Sequence, residues 1–296
     1  MKRKSKSIDI SFLLVYILIT MYVLSLIFVL AFGVLNSLKY WVDFNRGNIF
    51  GLPSSEYGWR FDNYAQTFKM FYVSIKPVGQ RPRNVYMIEM FWNTVTYATL
   101  MSVFSILTQV MVAYTVSKYD FKLGKIIYSV AIIVMLIPIV GALASQVRVA
   151  QVLGLNNSLL GVCIMNCKYP GLYFLVFYAA FKGIPWTYAE AAQLDGANDF
   201  TIFIRIMLPM VMSTIGAVFL LYFIQFWNEY YTPMIFLPEK PTISYGLYLY
   251  QNNVQTSMST PLKLAASILS CVPVILLFVL FRNIIMNNVT VGGIKG

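Results

Sequence analysis

The chain has 296 residues, of which 59% are hydrophobic and 11% are charged, and its mean hydropathy is +0.69. This balance excludes an ordinary soluble globular domain. The net charge of +11 would suit nucleic-acid binding in a soluble protein, but no basic and aromatic stripe on a soluble segment accompanies it. We therefore expect no nucleic-acid partner.

Six apolar segments are long enough to cross a membrane, which takes ~20 mostly apolar residues. They lack the alternation of barrel strands, so helices are predicted. The first apolar segment exceeds the ~7–15 residues of a signal peptide and is predicted to be retained. The predicted spans are 11–35, 90–117, 126–147, 158–181, 210–233 and 262–281. The sequence thus predicts an all-α polytopic membrane protein with six transmembrane helices.

The distribution of basic residues predicts that the N- and C-termini are cytoplasmic. With this orientation, the cytoplasmic segments hold 11 Lys and Arg in 61 residues, whereas the external segments hold nine in 92. The basic cluster at 2–6 contributes most to this difference. We divide the chain into 1–89, the first helix with a long external loop, and 90–296, a five-helix core that contains a cytoplasmic loop at 182–209.

The sequence offers few groups for catalysis or metal binding. It has no histidine, which is the commonest general base and metal ligand. Cys163, Cys167 and Cys271 lie in predicted spans and are interpreted as small apolar core residues, with a disulfide or metal site as the alternative. Neither a G-x-x-x-x-G-K-[ST] phosphate loop nor a G-x-S-x-G nucleophile motif occurs. We predict no catalytic residue, metal or cofactor in this chain.

The cytoplasmic loop contains the stretch EAAQLDGANDFTIFIRIMLP, which begins at Glu190. Thr187 and Glu190 have the T-x-x-E spacing of a capping box, so a short helix is expected to begin near Thr187. The alanines at 191 and 192 leave one surface of this helix nearly free of bulk. Such a helix suits either an interfacial connector or a docking surface that a partner approaches closely.

The following residues predict a turn and a second helix. Gly196 suits the left-handed conformation that ends many helices. Asn198 or Asp199 can then cap a second helix, whose apolar residues face the membrane. Pro209 is expected to open the fifth span, where its missing N–H costs little.

The residues Glu190-Ala191-Ala192, Gly196 and Ile206-Met207-Leu208-Pro209 reproduce the motif E-A-A-x3-G-x9-I-x-L-P. The chain resembles the permease subunits of bacterial ABC importers, which carry this motif. Its KGIP at 182–185 and VGGIKG at 291–296 are similar to the carbohydrate-uptake branch that includes the maltose permease MalG. The resemblance implies a type I importer-like fold in the bacterial cell membrane and ATP-driven, binding-protein-dependent import of sugars, in particular oligosaccharides.

The resemblance also implies partners. These are a second permease subunit, two cytoplasmic ABC ATPase subunits that hold ATP and magnesium, an extracytoplasmic solute-binding protein, the sugar substrate and membrane lipid. The external loop at 36–89 would contact the binding protein or the second permease. The implied ATPase-coupling residues are Glu190, Ala191, Ala192, Asp195, Gly196 and Ala197. An ATP-independent secondary transporter or channel is the alternative, but it leaves the motif spacing unexplained.

Polar groups inside predicted spans indicate a substrate pathway. The segment NCKYPG at 166–171 interrupts the fourth span, and Lys168 there would cost ~2.5–3.5 kcal/mol in lipid unless it faced water or protein. The segment QFWNEYY at 225–231 ends the fifth span, with three polar groups at helical spacing. The candidate pathway residues are Asn166, Lys168, Gln225, Trp227, Asn228, Glu229 and Tyr230. A structural kink and an interfacial aromatic belt are the alternatives.

Overall fold

The structure is a computed structural model that describes residues 10–77, 79–137, 141–167, 171–252 and 258–291, without the side chains of residues 10 and 282–291. The longer helices are α1 (Ile10–Ser37), α4 (Met87–Lys118), α5 (Lys122–Leu136), α8 (Leu172–Lys182), α12 (Met212–Asn228) and α15 (Thr260–Val291). The shorter helices are α2 (Trp41–Asn45), α3 (Asp62–Met70), α6 (Leu143–Val152), α7 (Leu159–Asn166), α9 (Thr187–Leu194), α10 (Asp199–Ile202), α11 (Leu208–Met210), α13 (Tyr231–Phe236) and α14 (Ile243–Asn252).

Two short strands form an antiparallel hairpin. Strand β1 (Tyr72–Ile75) pairs with β2 (Arg83–Tyr86), and Tyr72 lies opposite Tyr86. The strands follow α3 and lead directly into α4.

The chain divides into two compact units. One consists of Met1–Phe71 and Tyr250–Cys271, and the other of Tyr72–Leu249 and Val272–Gly296. The first boundary therefore falls before the hairpin, whereas the sequence-based division put it after residue 89. The hairpin belongs with the second unit because β2 continues without a break into α4.

Hydrogen bonds hold together the segment after α1 in the first unit. Asn63 Nδ2 donates to the backbone oxygens of Ser37 and Lys39 at 2.7 and 2.9 Å. The buried Lys39 Nζ donates to the backbone oxygens of Asn48 and Ile49 at 2.5 and 3.1 Å. Because these bonds join residues up to 26 apart, the segment is a folded cap rather than a loose linker.

Helix α4 organises the second unit by packing against α5, α7, α8 and α12. Phe174, Phe177 and Phe181 of α8 are fully buried. Their spacing of three and four residues puts all three rings on one side of α8. The core of this unit is thus built from helix-on-helix packing around α4.

Among the residues that the structure describes, three helices are long and apolar enough to cross a membrane: Ser11–Ser37, Met87–Lys118 and Thr260–Phe281. A fourth candidate is the pair Asp199–Met210 and Met212–Asn228, which is bent by 73°. These helices match the predicted first, second and sixth spans and part of the fifth.

The remaining spans differ from the prediction. Instead of one helix over 126–147, the structure has α5 and α6, and instead of one over 158–181 it has α7 and α8. The residues between the two helices of each pair include some outside the described part of the chain. The fifth span runs from Met212 to Asn228 rather than over 210–233, because Val211 breaks the helix before it and Glu229 is extended.

Candidate functional site

Helix α9 forms where the sequence predicts it. It runs from Thr187 to Leu194, and the backbone oxygen of Trp186 accepts from the N–H groups of Ala189 and Glu190 at 2.8 and 3.1 Å. The predicted capping box is wrong, however. Thr187 is the first residue of the helix rather than its N-cap, so its side chain lies one position too late to cap the free N–H groups.

The end of α9 is a left-handed glycine turn, as predicted. Gly196 has φ +83°, and its N–H donates to the backbone oxygen of Gln193 at 3.0 Å. The N–H of Ala197 donates to the backbone oxygen of Ala192 at 2.9 Å. These two bonds define a Schellman motif, which satisfies carbonyls that the helix end would otherwise leave free.

Asn198 caps the second short helix, as the sequence allowed. Its Oδ1 accepts from the backbone N–H of Thr201 at 2.8 Å. A π-helical turn follows over Phe203–Met207, and the N–H of Leu208 donates to the backbone oxygen of Phe203. Pro209 has no N–H and crowds the carbonyl four residues earlier, which accounts for the widened turn. The chain then bends, so Pro209 precedes the fifth span instead of opening it.

The predicted coupling residues do not share one exposed face. Glu190, Ala191, Asp195 and Gly196 are exposed and Ala197 is half-buried. Ala192 is only 9% exposed, and the neighbouring Ala189 is fully buried. The small side chains of α9 therefore let this helix pack closely against other segments of the same subunit. Ala192 is not available to a partner protein in the way predicted.

Large apolar side chains near α9 are exposed instead. Leu194 is 89% exposed, Phe200 71% and Tyr188 50%. Phe200 was among the apolar residues of the second short helix that were predicted to face the membrane, whereas Tyr188 and Leu194 were not predicted. The sequence signal for these side chains was large apolar residues in an otherwise polar segment. Exposed apolar residues that lie together often mark an interaction surface.

The end of α4 holds this segment in place. Lys118 Nζ donates to the backbone oxygen of Ile184, which precedes α9. The ring of Tyr119 contacts the edge of Trp186 with centroids 5.8 Å apart. Helix α9 is thus anchored at its N-terminal side, while Tyr188, Glu190 and Leu194 remain exposed.

A buried polar stripe runs along α4. Its members follow one another at intervals of three to five residues and are 0–7% exposed: Thr94, Tyr97, Ser102, Ser105 and Gln109. This stripe was not predicted, although polar residues at helical spacing inside an apolar span were its signal in the sequence. In membrane helices such groups hydrogen-bond across to neighbouring helices.

Two predicted pathway residues bind this stripe. Asn166 Nδ2 donates to Ser105 Oγ at 3.1 Å. Glu229 Oε2 accepts from the hydroxyl of Tyr97 at 2.9 Å, and its Oε1 accepts from Thr232 Oγ1. Asn166 and Glu229 therefore join α4 to the ends of α7 and α12.

The three polar groups of the fifth span differ in exposure and in hydrogen-bond partners. Gln225 and Asn228 are exposed, but the helix ends at Asn228. Glu229 follows the last helical residue with ψ 125°, and its carboxylate accepts a hydrogen bond from the hydroxyl of Tyr97.

The aromatic residues of this region have different surroundings. Trp227 is 2% exposed and packs against Phe91 and Phe223, so the structure contradicts its prediction as a platform for a sugar. Tyr230 is 37% exposed and stacks on Tyr248 with ring centroids 4.2 Å apart. Lys168 lies outside the described residues and stays a prediction.

A small cavity lies beside the stripe. It measures about 120 Å³ and is lined by Asn93, Tyr97 and Lys240, among others. Ligand pockets measure about 300–1,000 Å³, so this cavity is too small to hold an oligosaccharide. Within the described residues, no cluster of Cys, Asp and Glu has the arrangement of a metal site, and Cys163, Cys167 and Cys271 are free thiols.

The long apolar helices and their packing around α4 define a membrane protein. Residues 109–290 match the family described as binding-protein-dependent transport system inner membrane component. The match covers more than half of the chain, and the chain belongs to this family. It is therefore a membrane permease component, and ATP hydrolysis belongs to a separate subunit.

Characterised relatives have similar sequences. The arabinooligosaccharides transport system permease protein AraQ of Bacillus subtilis is 28% identical over 207 residues, which cover 70% of this chain and 73% of AraQ. The diacetylchitobiose uptake system permease protein NgcG of Streptomyces coelicolor is 26% identical over 246 residues, or 82% of this chain and 76% of NgcG. The lactose transport system permease protein LacG of Rhizobium radiobacter is 25% identical over 190 residues, which cover 64% of this chain and 68% of LacG.

A solved structure has the same fold. One chain of a bacterial ABC transporter involved in the import of the acidic polysaccharide alginate superposes with a TM-score of 0.70. The superposition covers 96% of this chain and 99% of that chain at 19% identity. This likeness confirms the type I ABC importer fold.

Proposed function

We propose that this chain is a permease subunit of an ATP-driven importer for sugars, in particular oligosaccharides, in the bacterial cell membrane. Membership of the family supports the role in transport, and the names of the relatives support a carbohydrate substrate. AraQ, NgcG and LacG are named for arabinooligosaccharides, diacetylchitobiose and lactose, which are all carbohydrates.

The proposed partners are a second permease, two ATPase subunits and an extracytoplasmic solute-binding protein. Helix α9 supports the contact with an ATPase, because it is anchored at one side by Lys118 and exposes Glu190 and Leu194 at the other. A carboxylate can pair with a basic group of the partner, and a leucine side chain contributes when it is buried in the contact. ATP and magnesium would bind to the ATPase subunits, and this chain needs no cofactor of its own.

For the substrate pathway we propose Gln225 and Asn228 as direct hydrogen-bonding groups. Both are exposed, and an oligosaccharide needs many hydrogen-bond partners. Asn166 and Glu229 instead hold the helices around α4, and the exposed edge of Tyr230 offers an apolar contact. Lys168 remains a candidate from its sequence position.

Reconstitution in vesicles tests the proposed function. The chain alone should show no sugar uptake, because no energy source acts on it. Uptake should appear when the second permease, the ATPase subunits, the loaded binding protein and ATP are all present. Sugar uptake by the chain without any ATPase subunit would contradict an ATP-driven importer and would favour a secondary transporter or channel.

A further inference from the structure

A polar pocket lies where α4 ends and α5 begins. It has a volume of about 350 Å³, and Lys118, Lys125, Tyr128 and Tyr178 contribute to its wall. Ser117 and Ser129 also line it. The pocket is separate from the polar stripe and from the exposed side chains of α9, and it shares Lys118 with the anchor of α9.

The charges around this pocket favour an anion. Lys118 and Lys125 line it, and Lys182 lies over the ring of Tyr178 at 5.5 Å. Lys118 donates one hydrogen bond to Ile184, and an ammonium group has two further N–H donors. Asp120 is the acidic residue in the wall, and its Oδ1 lies 3.2 Å from Lys125 Nζ.

Two hydroxyl groups of the wall also lack a partner. Within the described part of the chain, Tyr128 and Tyr178 contact each other through their rings, with centroids 4.6 Å apart, and neither hydroxyl forms a hydrogen bond. Tyrosine hydroxyls are good donors to phosphate oxygens. The pocket thus combines two cations with neutral donors, as a phosphate group requires.

The position of the pocket indicates a lipid. The apolar span of α4 ends at Lys118, so the pocket lies at the level of the lipid headgroups. From there, Leu123, Ile126 and Val130 form an exposed apolar row along α5 and are 65%, 56% and 45% exposed. Acyl chains can lie along this row while a headgroup occupies the pocket.

We propose that this pocket binds the phosphate group of an anionic membrane lipid, held by Lys118, Lys125 and the tyrosine hydroxyls. Basic pockets between transmembrane helices are a recurring means of binding such headgroups. The volume of 350 Å³ lies at the small end of the range for ligand pockets, and it suits a headgroup rather than a whole lipid. Such a site requires only the fold and the membrane, whatever the chain transports.

The role of Asp120 follows from the same contacts. Its carboxylate is 85% exposed and competes with a phosphate for Lys125. Removing this negative charge should therefore strengthen binding, whereas removing the charge of Lys125 should weaken it. Because both side chains are highly exposed, neither change should disturb the fold.

The experiment is a titration of the full chain, in its assembled complex in neutral detergent, with dioctanoyl phosphatidylglycerol, monitored by native mass spectrometry. Dioctanoyl phosphatidylcholine and inorganic phosphate are titrated in parallel. Phosphatidylglycerol should bind about thirtyfold more tightly than phosphatidylcholine, since ~1 kcal/mol for each of the two lysines is typical at a membrane surface. Lys125→Gln should weaken phosphatidylglycerol binding about fivefold, and Asp120→Asn should strengthen it.

Lys122→Gln is the matched control, because Lys122 carries the same charge on the same helix but does not line the pocket. It should bind phosphatidylglycerol like the unmodified chain. Equal binding of the two lipids would overturn the proposal, and so would equal losses in Lys122→Gln and Lys125→Gln. Displacement of the lipid by an equal concentration of inorganic phosphate would identify free phosphate, rather than a lipid, as the ligand.

Discussion

The hydroxyl of Tyr97 donates to Oε2 of Glu229 at 2.9 Å and joins two residues that are 132 positions apart. Tyr97 is 1% exposed and lies on α4, whereas Glu229 follows the last residue of α12. Since Thr232 also donates to this carboxylate, the end of α12 is fixed to α4 and to α13 at one point. Tyr97 and Glu229 therefore hold the helices together, and neither is proposed to bind the substrate directly.

Tyr97→Phe should lower the free energy of unfolding by ~1.5–3 kcal/mol, because it removes a hydrogen bond to a charged group. Thermal unfolding of the purified complex measures this change. Thr115→Val on the same helix is the control, since the exposed Thr115 hydroxyl donates within the helix, to the backbone oxygen of Met111. An unchanged unfolding midpoint in Tyr97→Phe would show that this bond contributes nothing to stability.

Gln225→Ala and Asn228→Ala should change the uptake kinetics and leave assembly intact. Both side chains are exposed, so their removal creates no cavity in the core. Within the described part of the chain, Asn228 Nδ2 donates to the backbone oxygen of Ile224 in its own helix. Uptake of labelled sugar into vesicles is the measurement. If both variants retained the original KM and maximal rate, these residues would not belong to the pathway.

Gly196→Ala should impair the link to ATP hydrolysis more than it affects folding. No atom lies within 4 Å of the added Cβ, but the φ of +83° strains any L-residue by ~1–2 kcal/mol. The strain reorients the end of α9 without unfolding the membrane helices. ATPase stimulation by the loaded binding protein should fall, while the amount of chain in the membrane stays the same.

Gly183→Ala provides the control for this substitution. Gly183 precedes α9 but has φ −70°, and its added Cβ would meet neighbouring atoms at an ordinary 3.5 Å. It should retain ATPase stimulation. Equal stimulation in Gly183→Ala, Gly196→Ala and the unmodified complex would mean that the turn after α9 is only a connector.

Glu190→Ala and Leu194→Ala should both weaken binding of the ATPase subunits, for different reasons. Burial of a leucine side chain contributes ~1.5–3 kcal/mol, so Leu194→Ala should raise the Kd about tenfold or more. Glu190→Ala removes a carboxylate that would pair with a basic group of the partner. Only the effect of Glu190→Ala should diminish at high salt. Gln193→Ala, exposed on the same helix, controls for changes in helix stability.

These affinities are measured by titrating labelled ATPase subunits onto the permease in nanodiscs. Normal binding in both variants would remove α9 from the ATPase contact.

The folded cap after α1 should loosen in acid because of Asp43. Burial opposes ionisation of this carboxyl, but hydrogen bonds from the Ser54 backbone N–H and Asn48, together with the Lys39 charge, hold its pKa below the ordinary value. A lowered folded-state pKa stabilises the fold above the unfolded pKa of ~4 and loses this contribution as the pH falls through the folded value.

Hydrogen exchange over residues 36–71 at a series of pH values measures this loss. Protection in the unmodified chain should decline below about pH 4, the ordinary range of an Asp carboxyl. Asp43→Asn should start with weaker protection and show a smaller decline. An identical pH profile in both proteins would assign the acid sensitivity of the cap to other groups.

Local sequence determined much of what defines the family. The apolar composition of residues 11–37 and 87–118 predicts membrane helices, because each run is long enough to span lipid by itself. Gly196 predicts the end of α9, because only glycine adopts its φ of +83° without strain. Asn198 likewise caps α10 through a bond to a residue three positions away. Each of these features depends on neighbours in the chain.

Only the tertiary structure decided which side chains remain available. Ala192 and Trp227 each lie in a stretch with polar residues that suggests exposure. Both are nevertheless buried when the helices pack. In the sequence, Asn166 and Glu229 suited a substrate pathway as well as a structural role. In the fold, Asn166 bonds to Ser105, 61 residues away, and Glu229 to Tyr97, 132 residues away. Such pairing depends on how α4 packs against α7 and α12, and the spacing of residues within one helix carries no information about it.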